Sequence, residues 1–137
     1  MSSSDDRHYR CPLCGARDRE DHEAGCENHP GFDLLPNGGR DVPKLYAQER
    51  AGEDAIVHLK WFLPGTGWSW YITEYDPVEE VAFGYVVSGL DPAYNELGYV
   101  SAREVMELRV GPGIRAERDL YFPDGTTVGQ VKRGERR

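Results

Sequence analysis

Three cysteines and one histidine near the N-terminus have the residue types and spacing of a metal site. They form two pairs, Cys11 with Cys14 and Cys26 with His29, and two residues separate the members of each pair. Each pair can place two ligands on one ion from a short turn, and three thiolates with one imidazole form a closed tetrahedral set for structural zinc. The sequence therefore predicts one structural zinc ion bound by these four residues, and folding of the segment that depends on the metal.

Other interpretations of this segment stay open. His22 or His8 could replace His29 as the fourth ligand, although neither repeats the two-residue gap. The cysteines could also be free thiols or a redox pair, whereas a catalytic zinc is disfavoured because the four residues leave no position for water. An odd number of closely spaced cysteines is typical of a metal site in a reducing compartment and not of a secreted disulfide framework. We therefore expect a cytoplasmic protein.

Five carboxylates farther along the chain are candidates for a second kind of chemistry. If two or three of them met in a cleft, they could bind a divalent cation or act as general acid and base. They follow no fixed spacing, and ion pairs of Glu117 and Asp119 with Arg118 would explain part of the set more simply. His58 is the one histidine beyond residue 29, and the sequence identifies no partner for it. We therefore assign no catalytic residue. The five carboxylates are Glu74, Asp76, Glu96, Glu117 and Asp119.

Aromatic residues concentrated between Trp61 and Tyr71 could form a surface that stacks against bases or holds a peptide. A small sheet needs aromatic side chains for its interior, so core packing is the simpler use for most of them. Trp68 and Trp70 share one face of their strand while Ser69 and Tyr71 share the other, which leaves one face for a partner. The candidate partner-binding residues are Trp68, Trp70, Tyr71, Glu74, Asp76, Glu117 and Asp119.

Period-two alternation predicts the strands that would position these residues. The segment Ala55–Leu63 alternates so that Val57, Leu59, Trp61 and Leu63 lie on its buried side. The turn residues that follow it, at 64–67, predict a hairpin with a second strand. Gly84 within the third strand indicates a bulge or a close backbone approach. The three predicted strands are Ala55–Leu63, Trp68–Glu74 and Val81–Val87, and Arg115–Phe122 is a last strand or an extended segment.

Two short helices are predicted beside the strands. Pro43 followed by good helix formers predicts a helix of one or two turns over Lys44–Arg50. Ser101 and Glu104 form a capping-box pattern that predicts a helix over Ala102–Arg109, which glycines near residue 111 then end. The predicted fold is α+β: a small antiparallel β-sheet with one or two short helices, plus an N-terminal zinc-binding module. We divide the chain into the module and linker (1–43), the core domain (44–124) and a basic tail (125–137).

Length and charge restrict the classes of function. A chain of 137 residues with 39% hydrophobic residues is enough for one packed core. No apolar run approaches the roughly 20 residues that a membrane span needs, and the N-terminus lacks the pattern of a signal peptide. The net charge is −8; residues 44–131 carry seven basic and fourteen acidic residues, whereas residues 132–137 carry four basic and one acidic. We therefore expect no strong binding of duplex nucleic acid and no membrane partner, although the tail could make a short basic contact.

Several short motifs between residues 44 and 123 resemble, in the same order, those of domain of unknown function 2958, a bacterial family often seen on plasmids and integrative conjugative elements. The resemblance implies residence on a mobile element or phage, and it brings no activity and no catalytic residue to these positions. The N-terminal 43 residues are an addition to the family pattern. The motifs are Lys60–Phe62, Trp68–Tyr71 with Thr73, Glu74 and Asp76, Phe83–Gly84, Glu96–Tyr99 with Ser101, Gly111–Pro112, and Glu117–Phe122.

These observations favour a non-enzymatic, zinc-stabilised interaction protein that binds a host protein or one encoded by the mobile element. The alternative is an acidic DNA mimic that inhibits a nucleic-acid enzyme, as an anti-restriction protein does. A metal-dependent hydrolase or nuclease that uses Glu74, Asp76, Glu117 and Asp119 is a third alternative.

Overall fold

The computed structural model describes residues 30–135, and a five-stranded antiparallel sheet is its centre. The spatial order places strand four at one edge, then strands three, two and one, and strand five at the other edge. Consecutive strands pair along the chain, and the fifth returns to pair with the first. The predicted α+β class with a small antiparallel sheet is confirmed. The strands are β1 (Leu59–Phe62), β2 (Ser69–Asp76), β3 (Val81–Val87), β4 (Glu96–Ser101) and β5 (Glu117–Arg118).

The predicted hairpin is present, since β1 pairs antiparallel with β2 and Trp61 lies opposite Trp70. Strand β3 has the predicted bounds. Strand β1 is shorter than predicted because the chain before it pairs elsewhere: Ile56 forms an isolated bridge with Thr127, and Val57 N–H donates to the Thr126 carbonyl at 2.8 Å. Strand β4 was not predicted.

Two apolar layers pack on the two faces of the sheet. On the first face the buried side chains of Trp61, Trp70 and Ile72 meet residues from 34 to 42 and from the helix after β4. On the second face Tyr71 and Tyr85 meet a C-terminal helix and the chain before β1. The residues of Ala55–Leu63 that were predicted to be buried divide between the two layers. Trp61 and Leu63 lie in the first layer, and Val57 lies in the second.

Two α-helices cover these layers. Helix α1 (Ala102–Glu107) begins as predicted, with the Ser101 hydroxyl accepting from Glu104 N–H at 3.2 Å, but it ends two residues earlier than Arg109. Helix α2 (Val128–Lys132) was not predicted, and a reciprocal capping box between Thr127 and Gln130 fixes its start. Short 3-10 turns occupy Pro30–Phe32, Pro36–Gly39, Glu49–Asp54 and Pro92–Tyr94.

The packed core includes residues on both sides of the predicted range 44–124. Leu34 is buried, and its carbonyl accepts from Trp61 Nε1–H at 2.8 Å. Val128 and Val131 are fully buried in the second layer. The zinc ligands predicted at Cys11, Cys14, Cys26 and His29 lie outside the described residues. No helix within residues 30–135 is long and apolar enough to cross a lipid bilayer.

The helix predicted over Lys44–Arg50 is absent, and that prediction was wrong. Residues 45–48 form turns, and a 3-10 segment then runs over Glu49–Asp54. Tyr46 adopts a left-handed backbone with φ of 72°, which no regular helix accommodates. Hydrogen bonds from this loop to β2 stabilise that conformation, so a tertiary contact overrides the local helix propensity.

Candidate functional site: an acidic, tyrosine-lined cleft

A bulge in β2 determines which way Glu74 points. Ile72 lies opposite Gly84 but Glu74 lies opposite Phe83, so Thr73 is an extra residue in the ladder. Strict alternation would have placed Glu74 on the first face with Trp70 and Ile72. The extra residue moves its side chain to the second face instead.

Gly84 faces the bulge from β3 because the two backbones come unusually close there. A Cβ at this position would collide with the Tyr71 carbonyl oxygen. Thr73 Oγ1 also donates to the Phe83 carbonyl at 3.1 Å, which holds the bulged residue against β3. The predicted close approach at Gly84 is confirmed, and the bulge itself lies on the partner strand.

The Glu74 carboxylate is buried and holds the loop that follows Pro43. One oxygen accepts from Tyr46 N–H and the other from Gln48 N–H, both at 2.8 Å. Only 4% of the residue is exposed. Two backbone donors therefore satisfy the charge where a basic side chain would be the usual partner of a buried carboxylate.

Gln48 ties the same loop to the sheet through its side-chain amide. Its Nε2 donates to the carbonyls of Ile56 and Thr73 at 2.9 Å each. Its Oε1 accepts from Ile56 N–H at 2.7 Å. Together with the Glu74 contacts, these bonds fix residues 46–56 as a wall over the second face of the sheet.

Between this wall and strands β3 and β4 lies a cleft of about 210 Å³. Tyr46 and Tyr99 stand at its mouth, where the Tyr99 hydroxyl donates to the Tyr46 hydroxyl at 3.0 Å. The Phe83 ring contacts the Tyr99 ring edge to face, with centroids 5.1 Å apart. Of the lining residues within 30–135, two are acidic and none is basic. The lining residues are Tyr46, Gln48, Glu49, Gly52, Ala55, Thr73, Glu74, Phe83, Leu97, Tyr99 and Val128.

The charges near the mouth act on Tyr99. Its pKa is raised, first by the hydrogen bond to Tyr46, then by partial desolvation, and further by the negative charges of Glu74 and Glu49. The two carboxylates therefore disfavour a further negative charge on Tyr99, although the hydrogen bond to Tyr46 is the larger cause of the raised pKa.

Most of the predicted aromatic surface is core. Trp61, Trp70 and Tyr71 are buried, as the core interpretation predicted. Trp68 is only half-buried and stacks on Trp70, with ring centroids 6.2 Å apart. It lines a groove of about 490 Å³ that also contains Tyr94 and Glu96. Tyr99 lines both this groove and the cleft.

Of the five predicted carboxylates, only Glu74 lies in the cleft. Asp76 caps the turn after β2 by accepting from Val78 N–H at 2.9 Å. Asp119 pairs with Lys60 at 3.5 Å, which anchors the segment after β5 to β1. Glu96 is the first residue of β4 and is exposed. Glu117 of β5 lies opposite Phe62 of β1 in the sheet.

The hydrolase alternative needs several of these carboxylates at one point, and the structure separates them. Within residues 30–135 no group of three or more His, Cys, Asp and Glu side chains is placed to hold a metal ion. His58 precedes β1 and lines a small polar pocket with Asp119 and Asp124. Burial lowers the pKa of His58, and the negative charge of Asp124 partly offsets that effect.

Sequence reasoning missed Tyr46, Glu49, Leu97 and Tyr99, four of the residues that form the cleft. Leu97 and Tyr99 alternate with Glu96, Gly98 and Val100, but a strand with one glycine gives a weak signal. The local sequence does not predict the position of Tyr46, because that position depends on a contact with Glu74, which lies 28 residues farther along the chain.

No curated protein and no solved structure matches this chain. A family model does match, over residues 41–132, and it begins at the loop before Tyr46 and ends with helix α2. The match thus includes every residue of the cleft. Since it covers more than half of the chain, this protein belongs to the family described as "Protein of unknown function (DUF2958)".

Proposed function

We propose that this protein is a non-enzymatic binding module that contacts a protein partner through the mouth of the cleft and the neighbouring edge strand β4. The observation that carries the proposal is the group of large apolar side chains exposed there. Tyr46 is 60% exposed, Leu97 41% and Tyr99 58%, and all three line the same cleft. A contiguous apolar surface with polar groups at its rim is typical of an interaction site.

The composition of this surface suits a protein partner. Tyrosine side chains supply large contact area and a hydroxyl at low entropic cost, which is why they are enriched in the centres of interfaces. Leu90 and Tyr94, on the connection before β4, are also exposed and extend the apolar area past the end of the strand.

The edge of the sheet adds a second means of contact. In the described part of the chain, β4 pairs with β3 on one side and with no strand on the other. Backbone groups along an open edge can pair with an extended segment of a partner. The side chains of Leu97 and Tyr99 would then lie beside that segment.

The N-terminal segment enters the proposal as a stabilising element. Cys11, Cys14, Cys26 and His29 would hold one structural zinc ion, on the grounds of their spacing and ligand types. Thiolate ligands of this kind suit a reducing compartment, so we place the protein in the cytoplasm. The family resemblance suggests a partner that is either a host protein or one encoded by a mobile element.

An acidic DNA mimic is the second candidate, and the observation that favours it is the excess of acidic residues between 44 and 131. A few of these carboxylates are already paired, which weakens the support. Glu53 pairs with Lys132 at 2.8 Å and Glu80 with Arg103 at 2.8 Å, whereas a mimic needs unpaired charges that face a basic groove.

Affinity capture with matched variants tests the proposal. The full chain, its Tyr99→Ala variant and its Tyr121→Ala variant would be used to capture proteins from a bacterial host lysate. Tyr121 is 80% exposed and does not line the cleft, so it controls for the removal of an exposed tyrosine ring. We expect a partner that the wild type and Tyr121→Ala retain and Tyr99→Ala loses.

Retention of the same partner by Tyr99→Ala at the wild-type level would overturn the proposal. A nucleic-acid enzyme that all three baits capture, and that high salt releases, would favour the DNA mimic instead. Circular dichroism of each variant would verify that the sheet is intact.

A further inference from the structure

We infer that the cleft receives the positively charged end of a lysine or arginine side chain of the partner protein. This inference rests on the proposed function and identifies the chemistry of the group that the cleft recognises. The cleft is small. A volume of about 210 Å³ is below the roughly 300–1,000 Å³ of pockets that bury drug-sized ligands. One long side chain fits such a space better than a whole cofactor.

The lining chemistry selects a cation among possible side chains. Aromatic rings of Tyr46, Phe83 and Tyr99 line the cleft, and their electron-rich faces attract ammonium and guanidinium groups. The apolar part of the wall, formed by Leu97, Val128 and others, suits the methylene stem of such a side chain.

The charges that line the cleft also favour a cationic guest. Glu49 and Glu74 both line the cleft, and among the described residues no Lys, Arg or His does. Glu74 is held by two backbone donors and is therefore fixed in place without a counter-charge. Within residues 30–135 Glu49 has no ion-pair partner. A guest with one positive charge would find two negative charges and, in the described part of the chain, no competing base.

The negative charge also acts on the phenol at the mouth, because Glu74 and Glu49 both contribute to the raised pKa of Tyr99. An acidic guest would meet the same repulsion. A neutral guest would gain contact with the rings and forgo the electrostatic attraction.

Titration of the isotopically labelled full chain with short capped peptides tests the inference directly. The probe is acetyl-Gly-Arg-Gly-amide, and the matched control carries citrulline, which has the shape of arginine without its charge. We expect the arginine peptide to shift the amide signals of Tyr46, Leu97 and Tyr99 saturably. The citrulline peptide should bind about tenfold more weakly than the arginine peptide. High salt should also lower the affinity of the arginine peptide.

Variants separate charge from fold. Glu74→Gln could disturb the loop, so Glu49→Gln is the informative change, because Glu49 is exposed and makes no side-chain bond within residues 30–135. We expect Glu49→Gln to weaken the arginine peptide about fivefold or more. Glu107→Gln, an exposed carboxylate on α1 away from the cleft, should leave its affinity unchanged.

Equal binding of the arginine and citrulline peptides, or shifts confined to residues outside the cleft, would overturn the inference. Either result would leave the proposed function standing if Tyr99→Ala still loses the captured partner. Loss of the proposed function would show separately, as retention of that partner by Tyr99→Ala.

Discussion

Glu74 is a buried carboxylate that accepts two backbone hydrogen bonds, and its position depends on one inserted residue in β2. The carboxylate orders the loop that places Tyr46 beside Tyr99. The cleft therefore exists because of a residue whose own role is structural. Removing a partner from a buried hydrogen-bonded group costs more than the bond itself contributes, because the remaining donor is left desolvated.

We predict that Glu74→Gln lowers the free energy of unfolding by about 1–3 kcal/mol. The glutamine amide would turn an N–H group toward one of the backbone N–H donors that the carboxylate accepts. Urea denaturation followed by tryptophan fluorescence measures the change.

Asp76→Asn is the matched control for this measurement. Asp76 caps an exposed turn through one oxygen, which asparagine retains, so its cost should stay within about 0.5 kcal/mol. Equal stability of Glu74→Gln and wild type would contradict the structural role assigned to Glu74.

The hydroxyl pair at the mouth gives a pH-dependent prediction. The pKa of Tyr99 is raised chiefly by its hydrogen bond to Tyr46, so Tyr46→Phe should lower it. The Tyr99 hydroxyl holds its proton more tightly in the folded protein than in the unfolded chain, where a tyrosine ionises near pH 10. The contribution to stability is therefore present below about pH 10 and is lost as the pH rises through the folded pKa. An NMR titration of the Tyr99 ring in both proteins measures the shift, and identical titration curves would show that the bond is not formed.

At this scale the sequence indicated part of the site. Glu74 was among the predicted carboxylates. Strict alternation would place it on the face of Trp70, and a bulge leaves no local mark beyond the glycine opposite it. Tyr46 and Tyr99 are 53 residues apart, and only the folded sheet brings their hydroxyls together.

Strands β1, β2 and β3 follow from alternation because each buries one or both faces in an apolar layer. Strand β4 lies at the sheet edge, with Leu97 and Tyr99 exposed, so its pattern is not one of burial. Helix α2 escaped prediction because it is only five residues long and lies in a segment with basic and glycine residues. Its two buried valines show that packing, and not intrinsic propensity, stabilises it.

The capping residues of the two helices give a prediction for these elements. Ser101 and Thr127 each accept from the N–H three residues on, at 3.2 Å. Ser101→Ala and Thr127→Ala should each cost about 1 kcal/mol of stability, and neither should change partner binding. Thr127→Ser keeps the hydroxyl acceptor, so it should retain most of the stability that Thr127→Ala loses. A binding defect in Ser101→Ala at unchanged stability would give that hydroxyl a functional role.

On the scale of the whole molecule, the core gathers residues from Leu34 to Val131 around one sheet. Lys132 is the first basic residue of the predicted tail. It forms an ion pair with Glu53 at 2.8 Å and so contacts the core. Composition indicated one core and an acidic body, whereas the contribution of residues 34–42 depends on a contact between Trp61 and the Leu34 carbonyl that no local pattern encodes.

The proposed zinc site gives a prediction at this scale. Protein purified without chelator should contain one zinc ion per chain, and Cys11→Ser or Cys26→Ser should reduce that occupancy. The sheet should stay folded in both variants, because its apolar layers are built from residues after position 33. Metal analysis measures the first part and tryptophan fluorescence the second. Absence of stoichiometric zinc would refute the site.

The most direct test of the binding surface is hydrogen–deuterium exchange of the full chain with and without its captured partner. We predict slower exchange in β4, over Glu96–Ser101, and in the loop around Tyr46, with little change in the segment around Tyr121. Protection confined to other segments, with β4 and the loop exchanging as in the free protein, would contradict the claim that this cleft and edge form the binding site.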